Sequence, residues 1–267
     1  MLLQRRAKML TTVSIAAATA ALLTGCIPGT PAGGWDLSKS KPEAASAGPG
    51  PEAGSGGVLM LGDSITAFGV GAGPMASALA TVVSPKNAYV VTWPGVTHAH
   101  FMTPGLLSQG VATSTDYATY LKPKVGVLQV GTNDAFRIRD DVGTSGGYTM
   151  DDAVGTAVAA NINAILANPG NPNGRCVLLV NVPTGGLGKL DASLLTTFKP
   201  VAQELNRRLR DLDAGSEAVK VIDWDAATPT SDSFVDDVHP TPAAGARLRD
   251  LVADAVNTAS ARTSGCG

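Results

Sequence analysis

Five short, continuous apolar runs, separated by segments of helical period, constrain the fold of this chain most strongly. The runs cover residues 58–61, 89–91, 125–130, 176–182 and 219–222. A strand that is buried on both faces is continuously apolar, whereas a strand with one wet face alternates apolar with polar residues. Strands of the first kind, alternating with helices, form a parallel sheet covered on both sides. The sequence therefore predicts one three-layer α/β sandwich with a mostly parallel, five-stranded sheet.

Helices are predicted where apolar residues recur every three or four positions. Val154, Val158, Ile162 and Ile165 share one such face, and segment 201–212 shows the same period. A last helix begins near residue 241, where Thr-Pro supplies a capping residue followed by proline at the first helical position. Segment 74–83 fits a helix less clearly. Segments 96–121 and 135–150 fit no element, and the Gly-rich, polar second one is predicted to be a long loop.

The first 26 residues have the zones of an export signal. A basic leader precedes an apolar stretch, and the segment ends in Leu-Thr-Gly-Cys. An apolar run of about 15 residues is short for a membrane span and suits a signal-peptide core. The ending is similar to a bacterial lipobox, so residues 1–25 are predicted to be a lipoprotein signal peptide and Cys26 the lipidated first residue of the mature chain. An ordinary signal peptide or an uncleaved anchor helix is the alternative.

Residues 26–56 are predicted to be the lipidated cysteine and a disordered tether, and residues 57–267 the folded domain. The tether is rich in Pro, Gly, Ala and Ser and has almost no large apolar side chains, so it cannot bury enough surface to order itself. The protein is thus predicted to be extracytoplasmic and anchored to the cell membrane by lipid. A net charge of −2 gives no electrostatic case for nucleic acid as a partner.

Two cysteines remain once Cys26 carries lipid. In an oxidising compartment an even pair favours a disulfide, so we predict a bridge between Cys176 and Cys266. It would pin the end of the chain to a strand. Two separate thiols are the alternative.

Polar residues interrupt the chain where the predicted strands end, at the edge of an open α/β sheet that binds ligands. Ser64 follows the first strand in a Gly-Asp-Ser turn and is the predicted nucleophile. A serine needs an adjacent base that a third group orients. His239 is the one histidine with an acid three positions earlier, Asp236, although Asp237 is a competing acid. Hydrolysis also needs oxyanion donors, and the backbone N–H groups of Ser64 and Gly95 and the amide of Asn133 are available.

These residues lie in four motifs: GDSI at 62–65, PGVT around Gly95, GTND at 131–134 and DDVHP at 236–240. Together, and in this order, they resemble the four sequence blocks of the SGNH/GDSL hydrolase family over residues 57–260. The resemblance implies a flavodoxin-like α/β/α fold that needs no metal or other cofactor. It also implies that Ser64, Gly95, Asn133 and His239 form the site, with Asp236 orienting His239.

The combined prediction is a serine esterase that hydrolyses carboxylic esters through an acyl-enzyme. An envelope location suggests acylated sugars, cell-wall glycans or lipids as its ester-bearing substrates. The first alternative is an acyltransferase that uses the same triad with a sugar hydroxyl as acceptor. The second, of a different class, is a lipoprotein that binds envelope ligands without turnover.

Other residues carry weaker functional hypotheses. Trp93, His98 and Arg137 are possible substrate contacts, although Trp93 could instead pack in the core. His98 and His100 could start a zinc site, but a catalytic zinc usually needs three protein ligands. Ser145 lies in a G-x-S-x-G pattern, but no buried strand precedes it as that motif requires.

Overall fold

The computed structural model describes residues 41–48, 56–103 and 112–267. The predicted signal peptide, Cys26 and most of the predicted tether lie outside these residues. The six strands are β1 Glu43–Ala47, β2 Val58–Gly62, β3 Ala88–Thr92, β4 Val125–Gln129, β5 Cys176–Val180 and β6 Val219–Ile222. The helices are α1 Ser64–Gly69, α2 Ala72–Val82, α3 Ser114–Leu121, α4 Thr132–Asp140, α5 Ala159–Leu166, α6 Leu194–Thr197, α7 Lys199–Ala214, α8 Trp224–Ala227 and α9 Pro242–Ser260.

Three shorter segments complete the described secondary structure. A π-helical segment, Asp151–Val158, leads directly into α5. Two 3-10 helices cover His98–Met102 and Ser231–Ser233. The helices predicted from apolar period correspond to the π-helical segment with α5, to α7 and to α9, and the less clear segment 74–83 lies largely in α2.

The strands form one sheet in the order β1-β3-β2-β4-β5-β6. All neighbouring pairs are parallel except β1 and β3, which are antiparallel. All residues of β2, β4 and β5 are buried, as their continuous apolar runs predicted, whereas β3 has a half-buried Tyr89 and the edge strand β6 an exposed Lys220. The chain leaves β2 for β3 on one side and reaches β4 on the other. A ligand site is therefore expected at the carboxyl end of β2.

Successive side chains of β2 enter opposite layers, as the pleat of a strand requires. Met60 packs in an apolar cluster with residues of α2 and α9. Leu59 and Leu61 pack in a second cluster, with residues of α3, α5 and α7. The three-layer α/β/α architecture predicted from the sequence is thus confirmed.

The sheet has six strands rather than the predicted five because part of the predicted tether is ordered. Glu43–Ala47 adds to the edge of the sheet through antiparallel pairing with β3. Ala45 and Ala47 also pack on the cluster formed with α2 and α9. The strand is stabilised mainly by backbone hydrogen bonds and small side chains, so its sequence has no large apolar residues that would reveal it.

Two segments that fitted no element contain helices. The predicted loop 135–150 begins inside α4, where Phe136 and Ile138 are buried although charged residues alternate with them. Segment 96–121 contains a 3-10 helix and α3. A capping box starts α3, since Thr113 and Asp116 bond to each other's backbone N–H. Because polar residues surround them, these helices lack the regular apolar spacing from which helices are predicted.

The predicted disulfide between Cys176 and Cys266 is present. It joins the first residue of β5 to the penultimate residue of the chain, and the N–H of Cys266 donates to the carbonyl of Glu217 at 2.7 Å. The cysteines are 90 positions apart in sequence. In the chain-entropy model a loop of this length stabilises the fold by about 4–5 kcal/mol.

Candidate active site

Ser64 lies at the turn from β2 into α1. Asp63 is the N-cap of α1, and its Oδ1 accepts a hydrogen bond from the N–H of Ile65 at 2.9 Å. Asp63 is the single residue between the end of β2 at Gly62 and the start of α1, so Ser64 lies at the carboxyl end of this central strand. Its side chain is enclosed, with 0% of the residue surface exposed.

The loop after α8 carries His239 to the same point. Asp236 Oδ1 accepts the N–H groups of Val238 at 2.8 Å and His239 at 2.7 Å, which folds the loop into a tight turn. The other oxygen, Oδ2, lies 2.7 Å from Nδ1 of His239. His239 Nε2 lies 3.1 Å from Ser64 Oγ, although the residues are 175 positions apart. The structure thus brings together the three side chains that the sequence singled out.

The electrostatics of Asp236 suit a carboxylate that stays charged. Burial by itself raises the pKa of this group. The hydrogen bond and charge interaction with His239, together with the two N–H donors of the turn, outweigh burial and hold the pKa below its usual value. The competing acid, Asp237, points elsewhere. Its carboxylate accepts the N–H groups of Leu190 at 3.2 Å and Asp191 at 3.3 Å.

Helix α9 holds the histidine loop against the serine turn. Thr241 caps α9 and Pro242 occupies its first position, as the sequence predicted. One turn later Gly245 meets α1 so closely that a Cβ at this position would lie 1.9 Å from the carbonyl oxygen of Gly69. Only glycine permits this approach, which sets the position of the His239 loop relative to Ser64.

Gly95 and Asn133 follow the strands on either side of β2. Gly95 lies after β3 with φ of 84°, in the left-handed region that favours glycine. Asn133 is buried in the first turn of α4, after β4. Its Nδ2 donates to the carbonyl of Val96 at 3.0 Å, which fixes the orientation of the amide. Both residues therefore lie at the same edge of the sheet as Ser64.

Asp134 organises the wall beside Asn133, a role that the sequence analysis did not foresee. Its carboxylate accepts the backbone N–H of His98 at 3.1 Å and the hydroxyl of Tyr148 at 2.7 Å. The segment after α4 is thereby tied to the site. The only sequence signal was the acid that follows Asn133 in the GTND motif, and nothing local indicated its partners.

Two of the predicted substrate contacts, His98 and Trp93, make contacts within the protein in this structure, and their contact with substrate stays a prediction. His98 is 2% exposed, and its Nε2 bonds to the carbonyl of Val130 at 2.9 Å. Burial lowers the pKa of His98, so this ring is neutral at pH 7 and donates from Nε2. Trp93 is fully buried in the cluster with α3, α5 and α7, which confirms the packing alternative.

Other sequence hypotheses have separate outcomes. The guanidinium of Arg137 lies over the ring of Tyr148, 4.5 Å from its centroid, and 3.7 Å from Asp141. Its contact with substrate stays a prediction.

Ser145 is exposed and lies in a turn that no strand precedes. His100 accepts the N–H of Thr97 at 3.0 Å through Nδ1. Among residues 41–48, 56–103 and 112–267, no three His, Cys, Asp or Glu side chains are grouped to hold a metal.

The family model for GDSL-like lipases and acylhydrolases matches residues 60–247. The chain belongs to this family. The matched region begins in β2 and ends in α9, so it includes Ser64, Gly95, Asn133, Asp236 and His239. This GDSL-family protein is a carboxylic ester hydrolase, and a purely ligand-binding lipoprotein is not supported. No curated protein matches the chain significantly.

Solved structures share the fold of this GDSL-family hydrolase at low sequence identity. An acetylxylan esterase from Geobacillus stearothermophilus is 17% identical, with a TM-score of 0.50 over 80% of this chain and 99% of that one. A GDSL-like lipase from Bacteroides thetaiotaomicron is 18% identical, with a TM-score of 0.50 over 74% and 86%. A candidate acylhydrolase from Bacteroides fragilis is 20% identical, with a TM-score of 0.53 over 78% and 90%.

Within the described part of the GDSL-family chain, no helix is both long and apolar enough to cross a membrane.

Proposed function

We propose that this hydrolase is a serine esterase in which Ser64 is the nucleophile, His239 the general base and Asp236 the group that orients His239. One observation carries the proposal: a single imidazole has Nε2 at 3.1 Å from the Ser64 hydroxyl and Nδ1 at 2.7 Å from the Asp236 carboxylate. Serine becomes an effective nucleophile only with such a base, held by a third group.

The geometry supports one proton path. Asp236 accepts a hydrogen bond from Nδ1–H of His239, so Nδ1 keeps its proton and the lone pair of Nε2 faces the serine hydroxyl. As Oγ attacks the acyl carbonyl, Nε2 takes the hydroxyl proton, and the resulting imidazolium is stabilised by the Asp236 carboxylate. The same proton then passes to the leaving alkoxide, and the acyl group stays on Oγ. A water molecule, deprotonated by Nε2, releases the carboxylic acid and restores Ser64.

The carbonyl oxygen gains negative charge during both attacks. The N–H of Ser64, the N–H of Gly95 and the side-chain amide of Asn133 are proposed to donate to it. The contact of Asn133 with Val96 supports this assignment, because it holds the nitrogen of the amide in a set direction. Gly95 has a left-handed φ and no Cβ that would crowd its own N–H.

An irreversible serine-directed probe tests this assignment. A fluorophosphonate is expected to add one phosphonyl group to the wild-type protein, located at Ser64 by intact mass and peptide mapping. Ser64→Ala should give no adduct, whereas Ser145→Ala, which removes an exposed serine from the other serine motif, should react like wild type. A folded wild-type protein that stays unmodified would refute the assignment.

The proposed substrates are acylated sugars, glycans or lipids of the cell envelope. The transferase alternative shares the first half of the reaction and differs only in the acceptor. Adding sugar alcohols to an ester assay separates the two, because a transferase would form new ester where the hydrolase forms free acid.

The proposed membrane location depends on the predicted lipid anchor at Cys26 and on the position of β1, where the ordered domain begins. A lipidated Cys26 would be joined to the sheet by residues 27–42, since β1 begins at Glu43. A fully extended chain of this length reaches at most about 55 Å. The domain would therefore act on substrates near the membrane surface.

Metabolic labelling tests the anchor. Cells that are fed a clickable fatty acid are expected to label the wild-type protein and not Cys26→Ala, because only the cysteine thiol can start lipidation. Cys266→Ala is the cysteine control, with labelling expressed per amount of protein because this change also removes the disulfide. Equal labelling of wild type and Cys26→Ala would contradict the predicted lipoprotein.

A further inference from the structure

We propose that Gln129 is a positioning residue for nucleophilic attack, because its side-chain amide bridges the residues on both sides of Ser64 and holds the serine turn against the end of β4. This inference rests on the proposed role of Ser64 as the nucleophile. It concerns a residue outside the four family motifs, on a strand that does not carry the serine.

The bridge uses both ends of the amide. Gln129 Nε2 donates to Asp63 Oδ1 at 3.0 Å. Gln129 Oε1 accepts the backbone N–H of Thr66 at 3.1 Å and also the Thr66 hydroxyl. The main chain adds a further link, since the N–H of Asp63 donates to the carbonyl of Gln129 at 3.0 Å. The residue before Ser64 and the residue two positions after it are thus held by one side chain.

Water cannot replace these contacts. Asp63 and Thr66 are fully buried, and Gln129 is 3% exposed. A buried polar group that loses its partner keeps its desolvation cost, so the turn would have to move to find new partners. The primary amide is also chemically specific here, because glutamate lacks the N–H donors and leucine lacks both donor and acceptor.

The bridge fixes the position of Ser64 Oγ relative to Asn133, the proposed oxyanion donor. Gln129 ends β4, and Asn133 follows four positions later in the first turn of α4. Fixing the Ser64 turn to this strand therefore fixes the nucleophile relative to the proposed oxyanion donor. Displacing reacting groups by about 1 Å can cost about 100-fold in rate.

The bridge also affects a buried charge. The pKa of Asp63 is raised to about 6, and burial is the largest cause. The Ile65 N–H, the Gln129 amide and the charge of His239 each lower it, whereas the charge of Asp134 raises it. The Asp63 carboxylate is charged at pH 7, and its charge favours the imidazolium that His239 becomes during attack. Without the Gln129 donor the pKa of Asp63 rises, so the charge is lost at a higher pH.

The test compares Gln129→Leu and Gln129→Glu with the same substitutions at Gln203, an exposed residue of α7. Each preparation is titrated with a fluorophosphonate, so that kcat is expressed per reactive serine. The Gln129 variants are expected to lose about 10- to 100-fold in kcat while KM changes little. The Gln203 variants should match wild type.

A second pair keeps the test decisive if the Gln129 variants do not fold. Thr66→Ser keeps the hydroxyl that donates to Gln129, whereas Thr66→Val removes it and keeps the shape. Thr66→Val is expected to lose about 5-fold or more in kcat per reactive serine, and Thr66→Ser should stay near wild type.

The outcomes separate this inference from the proposed function. Wild-type kcat per reactive serine in Gln129→Leu overturns the role of Gln129 and leaves that of Ser64 intact. Equal rates for Thr66→Val and Thr66→Ser overturn it as well. Absence of any adduct on wild-type Ser64 overturns the proposed function, and the inference with it.

Discussion

Replacing His239 with alanine is expected to lower kcat by about 10⁶-fold, as much as Ser64→Ala does, because members of such a triad act as a unit. Without the imidazole the serine hydroxyl has no base at 3.1 Å to take its proton. Without the hydroxyl the imidazole has no nucleophile to activate. Steady-state hydrolysis of an activated ester measures both losses.

The same reasoning predicts that the losses are not additive. The double variant Ser64→Ala/His239→Ala should be no slower than either single variant, and Asp236→Ala should lose less, about 10⁴-fold. His100→Ala is a matched control: it removes an imidazole whose contact is with Thr97, and it should keep kcat within a few fold. If the double variant loses the product of the two single factors, the residues do not act through one proton path.

Replacing Asn133 with alanine is expected to lower kcat by about 10²–10³-fold and to leave KM almost unchanged. The amide is proposed to donate to an oxygen whose negative charge appears only in the transition state. Removing it therefore costs little in the ground state, where the carbonyl oxygen is neutral. Burst and steady-state kinetics with one ester separate the acylation rate from binding.

The control for this change is Asn163→Ala, on the exposed face of α5. It should match wild type in both kcat and KM. Because Asn133 also bonds to Val96, thermal unfolding is measured on each variant to exclude a general loss of structure. A raised KM with unchanged kcat would assign Asn133 to substrate binding rather than to charge stabilisation.

The sequence by itself determined the framework of the protein. Continuous apolar runs revealed the three central strands, because a strand covered on both faces must be apolar at every position. The GDSI and DDVHP motifs predicted three side chains that the structure brings into contact, and GTND predicted Asn133 at the same sheet edge, because a nucleophile, a base and donors need particular side chains at strand ends. Cysteine pairing could be predicted since only two thiols remain if Cys26 is assigned to lipid, as the N-terminal sequence predicts. Each of these signals is local or compositional, so no knowledge of the folded chain was needed.

Only the tertiary structure decided which side chains meet. The edge strand Glu43–Ala47 exists because β3 offers an open edge, and its alanines alone do not indicate a strand. Trp93 and His98 are buried by layers that form around them, which their side-chain chemistry alone did not indicate. The bridge from Gln129 to Asp63 spans 66 positions. A contact between distant residues leaves no periodicity in the chain, because it depends on where both backbones lie after folding.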